Sequence, residues 1–424
     1  MQQIKEIFSQ VGETHRYYFN SKGVQRHLYK PLTGTSVRIF DNNTKKMAAV
    51  DEIGDTVENS LFDILSNYNK CGKLVKNTNK TFKLLNTISP KYIGLFKDIS
   101  QFISHLSDDF SFSLEKIFTK RKINNYLIGI REKYTENTFC EIKFYYKGYP
   151  YKILGDINNI EILLEELQDL IYILLYNKNN TYIPNINKKY NIVLAPGQPH
   201  ILIHECCGHL LEGSKNNSPL INLTTRSKFN DELNIIDSNF NMISKEKFDD
   251  EGIVKNKLDL IKNGQINDYL LDINSYLSNK YILNKVNCLG NCRRQSFEFY
   301  PEPRMFSTYI KNGSSSPNKI INNIETGIYI KRLGDSYVNN TSGDFISKIE
   351  CGYIIYNGKI KDFINGYYIK GNSLEFLNNI NMIGNDFKIS QGFCNSQSGR
   401  LYVEYGGPTI SINNMKLYKE DIKL

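Results

Sequence analysis

The chain has 424 residues, enough for two domains, and its 40% hydrophobic and 23% charged residues are ordinary for a soluble protein. Its formal net charge of +9 invites an acidic or nucleic-acid partner, but the basic residues are scattered and their densest cluster, residues 120–122, is short. We attribute the charge to a general enrichment in lysine, and we do not expect nucleic acid as a partner.

Cysteine spacing and hydropathy indicate the compartment. The eight cysteines form no CxxC pair and are too sparse for the disulfide framework of a small secreted domain. The opening residues carry charges inside their only apolar run, unlike a signal peptide. The most apolar segment, residues 160–176, contains four acidic residues and would not span a bilayer. We therefore expect a cytoplasmic protein without a membrane partner.

The first half of the sequence predicts a mixed α/β domain over residues 1–185. A short opening helix is predicted from apolar residues at helical spacing, namely Ile4, Ile7, Phe8 and Val11. Alternating patterns predict strands at 35–40 and 139–145. Strands and helices would thus be mixed in this half.

Two longer helices are predicted in the same half. Ser89 followed by Pro90 is typical of a helix start, and a second helix is predicted over residues 159–177. The resulting order is helix, strand, strand, helix. Three histidines are isolated in the sequence, and we expect ordinary surface or core roles for them: His15, His27 and His105.

Residues 177–189 are polar and have the composition of a linker, so we place a domain boundary there. The second domain, residues 190–424, is predicted to be rich in strands. Asn263-Gly264 and Asn357-Gly358 are strong hairpin signals. Two late strands are predicted at 401–405 and 409–412. The expected fold class is α+β, with a barrel- or sandwich-like second domain that carries a metal-site helix.

A stretch from Ile192 to Gly213 carries three side chains that together can bind a divalent metal and activate a water. They are His204, Glu205 and His209. Apolar residues lead in and follow, which indicates a site set in a folded wall. As a bare HExxxH hexamer the signal is weak, because two ordinary histidines and a solvated glutamate explain it equally well.

The histidines are five residues apart, whereas the common HExxH pattern puts them four apart on one helical face. Five steps at 3.6 residues per turn place them about 140° apart. We therefore predict a π-bulge that absorbs the extra residue, and we expect Gly208 to ease the distortion. His200 and His204 form a rival pair four apart. We favour it less, because Pro199 and the run after it indicate a strand, on which those positions lie roughly 13 Å apart.

The surrounding residues narrow the interpretation. Residues 196–213 follow the pattern PGxPxxLxHExxGHxxEG, which resembles the TldD/PmbA family of metalloproteases, also called modulators of gyrase. The resemblance continues in family order through segments 290–310, 327–329, 342–345, 353–372 and 383–412. In the first half, residues 36–52 resemble the family's early strand pair. It implies a TldD-like member of the catalytic type, because the inactive partner in such families lacks the HExxxH.

The resemblance implies one catalytic zinc per active chain and a third ligand beside His204 and His209. In the family this ligand is a late cysteine, which corresponds to Cys394 here, although by residue type alone an inert buried thiol is commoner. Glu205 would then be the general base for amide hydrolysis. Glu212 is either an acceptor that orients a ligand imidazole or a solvated glutamate. Two histidines and a cysteine do not by themselves distinguish zinc from other transition metals.

Other residues in the matched segments have weaker interpretations. Cys206 and Cys207 either tune the site and make it sensitive to oxidation or simply pack in the core. Cys288 and Cys292 have the spacing of a helical metal pair, but their region looks extended and we discount them. Three arginines match family positions, and we expect them to bind a substrate carboxylate or an interface: Arg293, Arg294 and Arg304.

Substrate and partner follow from the same resemblance. It implies unstructured peptide substrates, cleaved in peptide maturation or turnover. A strand-rich domain can capture such a peptide by adding it to a sheet edge. The resemblance also implies a homodimer, or a heterodimer with an inactive TldE-like paralogue. The alternative is a catalytically lapsed partner subunit or peptide-binding module, against which the retained Glu205 argues.

Overall fold

The computed structural model describes most of the chain. The described residues are 3–41, 45–67, 72–75, 83–85, 87–104, 106–157, 160–176, 184–186, 188–214, 217–223, 228–238, 247–278 and 285–419. Among them, no helix has the length and apolar character needed to cross a membrane. The predicted linker at 177–189 lies mostly outside the described residues, as does His105. The domain limits therefore stay a prediction.

In the described part of the first half, nine strands form one sheet. The strands are β1 (Ile4–Asn20), β2 (Gln25–Pro31), β3 (Gly34–Phe40), β4 (Lys45–Val50), β5 (Gly72–Val75), β6 (Lys83–Leu85), β7 (Phe110–Asn125), β8 (Gly129–Tyr146) and β9 (Tyr149–Asp156). The helices are α1 (Asp55–Ser66), α2 (Pro90–Ile103) and α3 (Ile160–Tyr176). The sheet order is β5-β4-β3-β1-β7-β8-β9, with β2 beside β1 and β6 beside β2.

Several elements of this half agree with the sequence prediction. Helix α2 begins at Pro90 with Ser89 as its N-cap, although the serine side chain makes no capping hydrogen bond. Helix α3 buries its leucine face against Phe112 and Ile142 of the sheet. The strand pair predicted over residues 36–52 is confirmed as the antiparallel pair of β3 and β4.

The opening segment is a strand, so the predicted helix and the order helix, strand, strand, helix are wrong. Strand β1 lies between β3 and β7, and one face of its first part, residues 4–10, is buried throughout. On that face the polar Glu6 and Gln10 alternate with Ile4 and Phe8, and all four are buried. Buried polar residues hide the two-residue period of a strand, and the remaining apolar residues then mimic a helical spacing.

Two histidines of this half, His15 and His27, are not isolated from each other. The Nδ1 atom of His15 lies 2.9 Å from the Nε2 atom of His27, across the paired strands β1 and β2. The second ring nitrogen of His27 contacts the carbonyl oxygen of Thr87. Their role is to join neighbouring strands, which sequence spacing does not reveal.

The described part of the second half contains fifteen strands and four short helices. The strands are β10 (Lys189–Leu194), β11 (Ile235–Ser238), β12 (Leu258–Lys262), β13 (Gln265–Ile266), β14 (Cys292–Arg293), β15 (Glu302–Pro303), β16 (Ser307–Ile310), β17 (Thr326–Val338), β18 (Asp344–Tyr356), β19 (Lys359–Ile364), β20 (Tyr367–Asn372), β21 (Ile380–Ile383), β22 (Lys388–Ser396), β23 (Gly399–Gly407) and β24 (Ile410–Lys419). The helices are α4 (Ile201–Ile203), α5 (Ile273–Ser278), α6 (Pro317–Asn322) and α7 (Ser373–Asn378).

Five of these strands close into a barrel. The order β10-β17-β18-β20-β24 returns to its start, because β24 also pairs with β10. Buried aliphatic residues of the barrel strands belong to the largest hydrophobic core. A second sheet runs β13-β12-β11-β16-β23-β22, so β22 is an edge among the described strands. The predicted α+β class with a barrel-like second half is confirmed.

Both predicted hairpins are confirmed. Asn263 and Gly264 connect β12 to β13 with φ values of 48° and 74°, and Asn357 and Gly358 connect β18 to β19 with 47° and 71°. Two consecutive positive φ angles define the turn that matches the twist of paired strands, and asparagine and glycine tolerate them best.

Buried ion pairs join the two halves of the chain. Glu6 of β1 accepts hydrogen bonds from Arg38 at 2.7 Å and from Arg294 of the second half at 2.5 Å. Arg38 also pairs with Glu251. Nearby, Arg121 pairs with Asp250 at 2.9 Å. Since charges are tolerated in a protein interior only when they are paired, these contacts fix how the halves pack.

Candidate metal centre

The segment that carries the histidines is made of four short helical pieces. They are a 3-10 turn (Gln198–His200), α4, a π turn (His204–Gly208) and a second 3-10 turn (His209–Leu211). The π turn confirms the predicted bulge between the two histidines. The strand predicted after Pro199 is wrong. Short apolar runs that are buried on all sides carry no period that separates helix from strand.

Gly208 has a different role from the one expected. Its φ of −58° is ordinary for a helix, so the backbone there does not require glycine. A Cβ atom at this position would lie 1.8 Å from the sulphur of Met305, a fully buried side chain. Gly208 therefore provides the space in which Met305 packs against the π turn.

Three potential metal ligands converge at this point. The ligand atoms of His204, His209 and Cys394 all lie within 4.8 Å of one another. The imidazole rings are nearly perpendicular, with centroids 4.9 Å apart, and the Nε2 atom of His209 lies 3.2 Å from the Cys394 sulphur. Cys394 belongs to strand β22, so the fold brings together residues that are 185 positions apart in sequence.

The state of these groups fits a metal ion. Neither ring nitrogen of the buried His204 makes a hydrogen bond of good geometry with a described residue. Buried polar atoms without partners are rare and call for an explanation such as a bound ion. Burial alone would raise the pKa of the Cys394 thiol, but His209 and His204 hold it well below its usual value. Two imidazoles and a thiolate are a donor set that suits zinc.

Glu212 lies behind one of the imidazoles. Its Oε1 atom is 2.9 Å from the Nδ1 atom of His209, and the side chain is buried, with the Arg304 guanidinium 3.7 Å away. A carboxylate that accepts the Nδ1 proton leaves the Nε2 lone pair of the ring directed toward Cys394. Such hydrogen bonds fix the tautomer and the orientation of a metal-binding histidine.

Glu205 lines a cleft of about 460 Å³ together with His209 and Cys394. Its Oε2 atom lies 3.9 Å from the Nε2 atom of His209, and burial raises the pKa of its carboxyl. A carboxylate beside the potential ligands and open to the cleft can accept a proton from a water that binds there.

Several candidate residues lie apart from this cluster. His200 is fully buried, is not part of it, and packs so closely on Gly407 that a Cβ there would lie 2.4 Å from its ring. Cys206 and Cys207 are fully buried in the hydrophobic core, where burial raises the pKa of both thiols. Packing is thus the role that their surroundings support.

Cys292 belongs to a second group of potential ligands, with Glu251 and Asp272, whose atoms lie within 4.8 Å of one another. Glu251 already pairs with the buried guanidinium of Arg38 and also accepts a hydrogen bond from the backbone N–H of Ile273. A guanidinium in this position neutralises the carboxylate, so the group belongs to the ion network between the halves.

The three matched arginines make hydrogen bonds within the chain, and the expected role in binding a substrate carboxylate or an interface stays a prediction. Arg294 binds Glu6 across the two halves, which makes it an interface residue within one chain. Arg293 donates to the backbone carbonyls of Met305 and Tyr402. Arg304 donates to Ser398 at 2.7 Å and is buried.

Sequence reasoning missed the residues that pack around the centre. Met305 lies in the matched segment 290–310, but the resemblance gave no structural role for it. Tyr405 lies with its ring centroid 6.3 Å from that of His204, and Arg332 lines the same cleft. These residues are far from the histidines in sequence, so no short sequence pattern links them to the centre.

The fold and the three convergent potential ligands define a class of protein with a metal-binding site in a strand-rich domain. Comparison with known proteins identifies the family. The structure is similar to that of TldE from Thermococcus kodakarensis, with a TM-score of 0.70, 16% sequence identity and coverage of 98% of this chain and 97% of the other. At that identity the likeness concerns the fold alone. Residues 187–419 match the family described as the PmbA/TldA metallopeptidase C-terminal domain.

The chain therefore belongs to the TldD/PmbA metallopeptidase family. It is 33% identical over 236 residues to a metalloprotease TldD homolog of Buchnera aphidicola, a match that covers 54% of this chain and 48% of the relative. It is 31% identical over 298 residues to a zinc metalloprotease TldD homolog of Saccharolobus solfataricus, covering 69% and 63%. The chain spans about half the length of the first relative and less than two thirds of the second.

Proposed function

We propose that the protein is a zinc-dependent peptidase that hydrolyses amide bonds of unstructured peptides. The observation that carries the proposal is the convergence of His204, His209 and Cys394, two of which, His209 and Cys394, line the same cleft as Glu205. The names of the relatives, metalloprotease and zinc metalloprotease, support the same reaction class.

The side chains divide the work as follows. His204, His209 and Cys394 would hold the zinc, which would supply Lewis acidity at this point of the cleft. Glu212 keeps the imidazole of His209 oriented. Glu205 takes a proton from the attacking water at its carboxylate and returns it to the nitrogen of the departing amine. The carboxyl is suited to this exchange because burial raises its pKa.

The edge strand β22 supports an extended peptide as substrate. Its residues 391–396 line the cleft, and Cys394 is one of them. In the described sheet β22 pairs on one side only, with β23. The backbone groups on the other side are available to an added strand, which recognises backbone more than side chains. A folded protein presents no free strand of this kind, so unstructured peptides are the substrate class.

We also propose that the chain works as a pair, either with a second copy or with an inactive TldE-like paralogue. The likeness in fold to TldE supports a partner with the same architecture. Light scattering of the purified chain, alone and mixed with such a paralogue, distinguishes the two. A chain that stays monomeric in both samples contradicts the pairing.

Metal analysis is the first test of the proposed site. We expect about one zinc per purified chain by elemental mass spectrometry. The Cys394→Ser and His204→Ala variants should lose most of it, because each removes one of three ligands. Wild-type protein that remains metal-free after purification with added zinc contradicts the proposed function.

A Glu205→Gln variant separates the peptidase from a lapsed partner subunit. The amide keeps the size of the side chain and leaves the three ligands in place, so zinc content and thermal stability should match wild type. Cleavage of a library of unstructured peptides should fall by about a hundredfold or more. If wild type and variant bind the same peptides and neither cleaves them, the protein is a peptide-binding module instead.

A further inference from the structure

A trio of charged side chains lies in the wall of the cleft: Glu166 of α3, Arg332 of β17 and Glu350 of β18. The Nε atom of Arg332 donates to Glu350 at 2.9 Å, and its Nη1 atom lies 3.6 Å from Glu166. The side chains are 11 to 18% exposed. Two carboxylates share one guanidinium, so the trio retains one uncompensated negative charge.

Two lysines that do not line the cleft attract the trio at longer range, Lys348 acting on Glu350 and Lys388 on Glu166. Among the described residues neither forms an ion pair with the trio, and Lys388 pairs instead with Glu165. Lys152, a further cation that lines the cleft, has its ammonium 3.5 Å from the carboxylate of Asp335. Burial raises the pKa of both Glu166 and Glu350, while Arg332 lowers it. The cost of holding two partly buried carboxylates against one guanidinium is relieved when a second cation arrives.

The trio is fixed in place relative to the metal centre. The side-chain amide of Gln198, six residues before His204, donates to the backbone carbonyl of Leu333 at 2.7 Å and accepts from its backbone N–H at 2.8 Å. Strand β17 is irregular between Ile330 and Ser336, and such bulges re-aim side chains near functional sites. The bulge thus turns Arg332 toward the cleft, and Gln198 ties it to the segment that carries the histidines.

One aromatic ring separates the trio from the centre. The Tyr405 ring lies 6.3 Å from that of His204, and the Glu166 carboxylate helps to raise the pKa of the Tyr405 phenol, after burial. Gly334 leaves room for the Glu350 side chain, because a Cβ atom at position 334 would lie 2.8 Å from the Oε1 atom of Glu350. A carboxylate is thereby held over the backbone of the strand that borders the cleft.

We propose that Glu166, Arg332 and Glu350 form a subsite that selects peptides with a cationic nitrogen at one position near the cleaved bond. The inference rests on the proposed peptidase function and deepens it. The cation is a lysine or arginine side chain or the free amino terminus of the peptide, and the two sources share the same recognition. Glu350, with one oxygen outside the hydrogen bond to Arg332, supplies the acceptor.

The test compares matched peptides with wild type and variants. Peptides with blocked ends carry lysine or norleucine at each position in turn, and a second set carries a free or acetylated amino terminus. Initial cleavage rates in competition give the ratio of kcat/KM. We expect a preference of about tenfold or more for the cation at one position, reduced to about twofold or less by Glu350→Gln or Glu166→Gln. If the preference appears at a lysine position, the cation is a side chain; if it appears with the free amino terminus, the cation is the terminus of the peptide.

A neighbouring glutamate provides the control. Glu165 is 63% exposed and pairs with Lys388 at 2.7 Å outside this cleft, so Glu165→Gln should keep the preference. Glu350→Lys reverses the charge and should favour glutamate over lysine at the same position. Melting temperatures of all variants show whether they fold. If Glu166→Gln does not fold, Glu350→Gln alone is sufficient for the test.

A binding measurement keeps this inference separate from the peptidase proposal. Fluorescence anisotropy of labelled peptides with the Glu205→Gln protein reports the preference without any cleavage. A wild type that binds but does not cleave contradicts the peptidase. Equal binding of lysine and norleucine peptides at every position, with equal binding of free and acetylated termini, overturns the cationic subsite. So does a preference that Glu350→Gln and Glu350→Lys leave unchanged.

Discussion

A methyl group added at position 208 tests how the π turn is supported. Gly208→Ala would put a Cβ 1.8 Å from the Met305 sulphur and 3.0 Å from its terminal carbon. Ordinary contact begins near 3.4 Å, so the two atoms must separate by about 1.6 Å, the difference between those distances. Met305 is fully buried, so its side chain can move aside only against the residues packed around it. We therefore expect part of the shift to fall on the turn that carries His204 and His209.

The magnitude follows from two opposing effects. Overpacking a buried position costs about 1–3 kcal/mol. Alanine in place of glycine favours helical backbone by up to about 1 kcal/mol. We expect a net loss of about 1–2 kcal/mol in the free energy of unfolding. Zinc affinity should fall by about tenfold or more, because a metal site tolerates displacements of only about 0.5 Å.

Met305→Ala provides the matched rescue. Alone it leaves a cavity and costs about 2–5 kcal/mol. In the double variant the new methyl enters that cavity, so the two changes should be less than additive by about 0.5–3 kcal/mol. Zinc affinity, measured by competition with a chromogenic chelator, should recover toward that of Met305→Ala. Urea unfolding of chelator-treated protein gives the stability of all four proteins.

The reasoning is refuted if Gly208→Ala alone leaves both stability and zinc affinity unchanged. Additive effects in the double variant also contradict it, because they would place the cost of alanine somewhere other than at Met305. Loss of zinc affinity that Met305→Ala does not relieve would indicate that the backbone itself requires glycine.

Three further predictions concern single side chains. Glu212→Gln should weaken zinc binding about 10–100-fold by chelator competition, because the amide orients the His209 ring less well; unchanged affinity would refute the role. Arg294→Met should cost about 3–5 kcal/mol in urea unfolding, since Glu6 loses one of its two guanidinium partners; a neutral variant would show that the buried pair is dispensable. Burial lowers the pKa of His200 to about 4, below its usual 6.5, so the unfolded chain takes up the proton first and stability falls as the pH drops through that window. Compared with the His200→Gln variant, metal-free wild type should lose about 1.4 kcal/mol more of its free energy of unfolding for each pH unit in that window. Parallel curves of stability against pH for the two proteins would contradict this.

Local chemistry explains what could be predicted from the sequence. Each Asn-Gly hairpin needs only two consecutive positive φ angles. Its asparagine and glycine adopt them regardless of where the strands lie in the fold, as Asn263, Gly264, Asn357 and Gly358 do. Helices α2 and α3 follow from their own apolar periods. The spacing of the two histidines by itself called for a π turn, since no regular helix directs residues five apart to one point.

Resemblance, rather than local pattern, pointed to the third member of the centre. Cys394 lies on an edge strand far along the chain, and no spacing rule connects it to His209. Only the closed barrel and the neighbouring sheet bring the two within 3.2 Å. The choice between an inert thiol and a ligand depends on which groups surround the sulphur, and that is a property of the fold.

The opening strand shows the opposite case, where the sequence misled. Glu6 and Gln10 read as solvent-facing, but in the structure both are buried, with Glu6 between Arg38 and Arg294. Burial of a charge depends on partners that are distant in sequence, so a local pattern carries no sign of it. The sequence by itself determined the turns, the longer helices and the spacing of the histidines. The tertiary structure decided which polar residues are buried and which side chains meet in the cleft, because both depend on contacts between distant parts of the chain.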